Sequence, residues 1–196
     1  MIPRHFQITI VLLLITLLIS GLYMIHLTQS ERAKTQAAEE DTPVAAPIAG
    51  HQERIRILVA YDQDRVLRWR ETTVFMPEDR GLRVREALRA VLGEYLQKPS
   101  PHPLGRGADI KDVYMINADT VVINTTLQFA AAHPSSALLE MMTMASLIET
   151  LSANVQGIAR VKFVVDGHER DTLAGHVDLM SFYSVDAMHK IAEGLE

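Results

Sequence analysis

From Arg54 to Tyr61 apolar and polar positions alternate, with Ile55, Ile57 and Val59 on one side and Arg54, Arg56 and Leu58 on the other. A period of two predicts a strand. Val66 to Phe75 alternates again, Leu67, Trp69 and Glu71 against Arg68, Arg70 and Thr72, with an irregularity near Trp69. The polar turn Asp62-Gln63-Asp64 joins the two into a hairpin, and Pro77 ends it. The period then lengthens. Leu82, Leu88, Val91, Leu92, Tyr95 and Leu96 recur at helical spacing, which predicts a helix over Glu78 to Gln97. Lys98 to Gly107 carries three prolines and two glycines and reads as a loop. Ile110 to Ile116 and Thr120 to Thr125 flank Asn117-Ala118-Asp119 as two short strands. Thr126 to Pro134 is a second loop, anchored by Phe129.

The stretch from Ser135 to Asp178 is the most ordered in pattern. Ser135 or Ser136 caps a helix whose apolar stripe is Leu138, Met141, Met142, Ala145, Ile148, Leu151 and Val155, and Gly157 ends it. Val161, Phe163 and Val165 alternate with Lys162 and Val164, a strand dry on one face and nearly so on the other, which belongs in the middle of a sheet. Asp166-Gly167 is a two-residue hairpin signal, and Thr172 to Leu179 is expected to return as an edge strand. Ser184 to Glu196 reads as a short helix or a frayed end. The order β-β-α-β-β-α-β-β predicts an α+β two-layer sandwich, with two helices on one face of a small, mostly antiparallel or mixed sheet.

An apolar run precedes this domain. Ile8 to Leu27, ITIVLLLITLLISGLYMIHL, contains no formally charged residue. Its length as a helix, roughly 30 Å, matches the hydrocarbon core of a bilayer. Nothing after it resembles a cleavage site, so it reads as an uncleaved signal-anchor. The expected organisation is a cytoplasmic tail over residues 1–7, a transmembrane helix over 8–28, an Ala-, Pro- and Glu-rich flexible linker over 29–52, one domain over 53–183 and a tail over 184–196. The short leading tail places the domain outside the cytoplasm, on a single-pass protein of a bacterial inner membrane.

Composition mostly excludes. The net charge is −5, and the 19 basic residues are nowhere clustered, so nucleic acid is not an expected partner. There is no cysteine, which removes disulfides, thiolate catalysis and cysteine-bound metals. The sharpest constellation is Asp166, His168, Asp171, His176 and Asp178. Imidazole and carboxylate suit zinc or manganese, and His168, His176 and Asp178 would form the centre of a metal-dependent enzyme. Asp166 is already explained by its turn, however, and no third well-placed histidine is evident. There is no G-x-S-x-G elbow and no P-loop, and Gly105-Arg106-Gly107 stands alone. Glu140 and Glu149 lie on one helix without sharing a face. The residues therefore nominate no catalytic or metal site and no cofactor. The Lys98–Gly107 loop, with His102 and Arg106, reads as a connector, and in the alternative reading it is where a cell-wall component or small ligand would bind.

At Thr150-Leu151, Val161 and Val164-Val165-Asp166-Gly167 the chain resembles the GerMN-type domain of spore germination, in which a helix ending in T-L precedes a strand of the form V-x-x-x-V-D-G. Val121 to Asn124 and the run on to Phe129 resemble that family's strand and aromatic loop. The resemblance covers Ile55 to Val177. It departs after the first helix, where Val91-Leu92-Gly93-Glu94-Tyr95 stands in place of L-L-x-G-P. It implies an α+β domain like the ring-building modules of envelope assemblies. It also implies a non-enzymatic part in protein–protein assembly, of sporulation or germination type, with envelope proteins or further copies as partners.

Overall fold

The computed structural model describes residues 49–196. The expected membrane helix, its leading tail and nearly all of the linker fall outside these residues. No helix among the described residues is long and apolar enough to cross a membrane.

β1 (Gly50–Tyr61) and β2 (Val66–Pro77) form the expected hairpin, antiparallel from Tyr61↔Val66 out to Gly50↔Pro77. Its register runs unbroken through Trp69, so the irregular pattern there is no bulge. Trp69 is half-buried opposite the buried Leu58. On β1, Ile57, Leu58, Val59 and Ala60 are all buried in succession, because this strand is covered on both faces near the turn. α1 (Arg80–Leu96) packs on β1 and β2 and reaches β3. Asp79 caps it, Oδ1 accepting the Leu82 N–H at 2.8 Å.

The other strands make a second sheet, in the order β3-β4-β5-β6. β3 (Ile110–Met115) and β4 (Thr120–Thr125) are antiparallel, while β4 and β5 (Arg160–Val165) run parallel. β5 is central, as its apolar pattern requires. Between β4 and β5 the chain makes a short helix, α2 (Leu127–Ala131), that buries Phe129, and the long α3 (Ala137–Asn154). Val121, Ile123, Val161 and Phe163 all face the core.

The α+β class stands, but three details of the expected sandwich are corrected. First, the strands divide into two sheets. The outward N–H groups of β1 meet side chains instead of a third strand. Arg56 donates to Asn154 Oδ1 at 3.3 Å, Leu58 to Thr150 Oγ1 at 2.8 Å and Ala60 to the Tyr95 hydroxyl at 2.9 Å. Second, α3 is not amphipathic with one stripe. Every residue from Met142 to Leu151 is buried, because β1, α1 and α4 enclose the helix. Third, Thr172 to Leu179 does not return as a strand. Only the single bridge Thr172↔Asp178 forms, and the fourth strand is β6 (Tyr183–Ser184). The tail after it is a docked helix, α4 (Val185–Glu193), burying Val185, Met188 and Ala192.

The Asp166-Gly167 turn is as expected. Both residues have positive φ, 49° and 79°, as a type I′ hairpin turn demands, and Val165 and His168 pair across it.

Candidate functional site

The Lys98–Gly107 loop folds over the β1–β2 turn and the end of α1, and leaves a cleft of about 690 Å³. Its walls include Tyr61, Asp62, Asp64, Glu94, Pro101 and Pro103. Asp62 pins the loop twice. Its N–H donates to Pro101 O at 3.0 Å, and its Oδ1 accepts from His102 Nδ1 at 2.5 Å. His102 is fully buried and turns away from solvent, whereas Arg106 is exposed, so the structure does not bring the two together.

Behind Asp62 lies a polar network inside the core. His102 Nε2 and His133 Nε2 each stand 2.7 Å from Thr143 Oγ1, which also lies 3.0 Å from Leu139 O. Two further bonds extend the chain: the Tyr95 hydroxyl donates to Ser146 Oγ at 2.8 Å, and Ser146 Oγ donates to Thr143 O at 2.9 Å. Burial drives the Tyr95 hydroxyl far above its ordinary range, so it remains a proton donor.

The Thr143 hydroxyl donates to Leu139 O and lies between the two imidazoles. His133 Nδ1 donates to Pro134 O at 2.8 Å, and burial lowers the His133 pKa against that contact, which raises it. His102 bridges Thr143 and the Asp62 carboxylate. The arrangement superficially matches an acid–histidine–hydroxyl triad, but Thr143 is fully buried and hydrogen-bonded on every side. It ties the loop to α3 and is not placed as a nucleophile.

Two buried carboxylates of α3, Glu140 and Glu149, hold separate segments of the chain. Glu140 is fully buried. Its Oε2 accepts the N–H groups of Ala174 at 3.1 Å, His176 at 3.1 Å and Val177 at 2.9 Å, and its Oε1 accepts from His176 Nδ1 at 2.8 Å. These bonds consume the N–H groups that a Thr172–Leu179 strand would have offered a sheet, which is why no strand forms there. Burial alone would raise the Glu140 carboxyl. The Val177 N–H, the His176 imidazole and the other two N–H groups outweigh it and bring the pKa down to about 2. A depressed acid stabilises the fold above its ordinary value and loses that contribution as pH falls. We therefore expect unfolding free energy to drop by an amount on the order of 3 kcal/mol between about pH 4.5 and pH 2, read from urea titrations. Glu140→Gln should flatten that slope. An equally steep slope in the variant would sink the assignment.

Glu149 is the counterpart on the next part of α3. It is buried, and its Oε2 accepts from His189 Nδ1 at 2.9 Å. This bond to Glu149 raises the His189 pKa.

The sequence constellation is dispersed. Asp166 pairs with Lys111 at 2.9 Å, and His168 is exposed at the hairpin tip. His176 is committed to Glu140. Asp178 accepts the Met180 N–H at 2.7 Å, and its carboxyl is held low by the Ser181 hydroxyl and that N–H. Among the described residues no cluster of three His, Asp or Glu side chains could hold a metal. Sequence reasoning named His102, Glu140 and Glu149 without their burial or partners, and missed the buried His133 and Thr143. One signal was available: Glu140 sits within Leu-Leu-Glu-Met-Met, where a carboxylate inside an apolar run must find buried donors.

Comparison with known proteins identifies the family. No curated protein matches the chain. Among solved structures, a protein of Clostridium perfringens described as a lipoprotein is similar at 18% identity and a TM-score of 0.46, over 72% of this chain and 93% of its own. The tandem GerMN domains of the sporulation protein GerM from Bacillus subtilis are similar at 17% identity and a TM-score of 0.47, over 67% of this chain and 45% of theirs. The family model described as Germane, sporulation and spore germination, matches residues 59–171. That span takes in the end of β1, β2, α1, the loop, α3, β5 and the Asp166-Gly167 turn, more than half of the 196 residues, and the chain belongs to the Germane family.

Proposed function

We propose that the domain is a non-catalytic interaction module of the cell envelope, of the sporulation and germination type. In this reading Ile8–Leu27 anchors it in the membrane, residues 29–52 form the stalk, and the domain stands outside the cytoplasm. It meets envelope proteins or further copies of itself.

The observation that supports this best is the outer face of the four-stranded sheet. Tyr114 lies opposite Val122, and Val122 opposite Lys162, so the three share the face turned away from the buried Val121, Ile123 and Phe163. Tyr114 is 50% exposed, Ile116 57% and Phe182 47%. Arg160 and Lys162 stand over the Phe182 ring at 5.9 and 5.5 Å. Aromatic groups flanked by basic residues are the composition of protein-binding patches.

The test is photo-crosslinking on membranes that carry the full chain, with the crosslinker at Tyr114 or Phe182. We expect discrete adducts that fall at least tenfold when Ile116→Asp is added. Adducts that are absent, or indifferent to that substitution, would sink the reading. A second reading, a small-ligand module, is favoured by the cleft beside Asp62, whose volume is that of an ordinary ligand site.

A further inference from the structure

A smaller cleft, of about 320 Å³, lies between the β1–β2 hairpin, the later turns of α3 and the start of α4. Arg56, Trp69, Glu149, Ser152, Asp186 and His189 line it. Two of these side chains are left incomplete by the fold. Glu149 is buried, with 5% of its side chain exposed, and only one of its oxygens is satisfied. Oε2 takes the His189 Nδ1–H, while Oε1 has no hydrogen-bond partner and is the one buried side-chain atom in that condition among the described residues. A carboxylate oxygen removed from water without a donor is costly to keep.

The other incomplete group is Arg56. Its backbone is fixed on both sides by Asn154, and its guanidinium lies 4.6 Å over the Trp69 ring. Nearby arginines have carboxylate partners: Arg54 has Glu71, Arg70 has Glu94 and Arg83 has Glu53. The Arg56 guanidinium has none among the described residues. Trp69 is itself fixed, its Nε1–H donating to Glu196 Oε1 at 3.0 Å. One cleft thus brings together a shielded acceptor without a donor, a guanidinium without an ion-pair partner, and an aromatic wall.

We propose that this cleft binds a small zwitterion of the amino-acid class. The ligand's ammonium donates to Glu149 Oε1 and faces Asp186. Its carboxylate pairs with Arg56, and its aliphatic carbons lie on Trp69. Oε1 is shielded from solvent, so the ligand reaches it by displacing the His189 ring, which is 57% exposed. The volume admits a free amino acid or a dipeptide end and little more. The assembly reading needs no such ligand, so the two stand or fall separately.

Trp69 is the only tryptophan of the chain, so its intrinsic fluorescence reports on this cleft alone. The full chain, in detergent micelles, is titrated with glycine, L-alanine and L-lysine, and with sodium acetate and methylammonium chloride as half-ligands. We expect a saturable change with at least one amino acid in the millimolar range, and no saturation by either half-ligand at the same concentrations. Glu149→Gln should weaken the apparent affinity about tenfold or more, with far-UV circular dichroism unchanged. No saturable change with any amino acid overturns the proposal. So does saturation by a half-ligand alone, or an affinity that survives in folded Glu149→Gln. If that variant fails to fold, Arg56→Gln, a change at an exposed residue, takes its place in the same comparison.

Discussion

Glu140→Ala is expected to destabilise the domain by about 3–5 kcal/mol, the range for breaking a buried charged contact. The carboxylate serves four donors at once, three backbone N–H groups and the His176 imidazole. Alanine leaves the Ala174–Val177 segment with donors facing an apolar helix, and a cavity where the carboxyl stood. Glu140→Gln keeps one oxygen but turns an NH₂ group towards donors, so it should lose about half as much. Equilibrium denaturation with urea measures both. A loss below about 1 kcal/mol for alanine would mean that the segment between β5 and β6 is held by Leu173 and Leu179, both fully buried, and not by the carboxylate.

The second large effect is expected at Thr143. Valine has nearly the same shape, so Thr143→Val isolates the hydroxyl. The change strips His102 Nε2 and His133 Nε2 of the hydroxyl they share inside the core. The expected cost is about 2–4 kcal/mol, since two buried ring nitrogens lose their partner together. Thr150→Val supplies the scale. It removes the acceptor of a single N–H, that of Leu58, and should cost about 1 kcal/mol. If the two variants melt alike, Thr143 is one buried hydroxyl among several and does not tie the loop to α3.

Much of the architecture could be read from periodicity. β1 and β2, α1, the β3–β4 pair, the Asp166-Gly167 turn and the extent of α3 are local, and each carries its own pattern of apolar spacing or turn chemistry. What could not be read is set by who covers whom. Leu58 and Ala60 alternate out of phase with Ile57 and Val59, and only a strand clad on both faces makes both sets core. Glu149 looks like a surface residue of an amphipathic helix until α4 lies across it. Thr172 to Leu179 has strand-like alternation, but a carboxylate more than thirty positions upstream takes its N–H groups. The candidate clefts share this limit. Asp62 and His102 are forty residues apart, and Arg56, Glu149 and His189 come from three elements with no common motif.

The three side chains that meet β1 have a consequence for how the molecule associates. Asn154, Thr150 and Tyr95 occupy the positions that an added strand would need, and two of them belong to the enclosed helix α3. A neighbouring chain could join the ribbon on that side only by prising α3 and α1 off it, which would open the core. That border is therefore closed to runaway edge-to-edge growth of the kind that seeds fibrils. A domain held at high local concentration can in this way crowd against its own copies and still keep that border to itself.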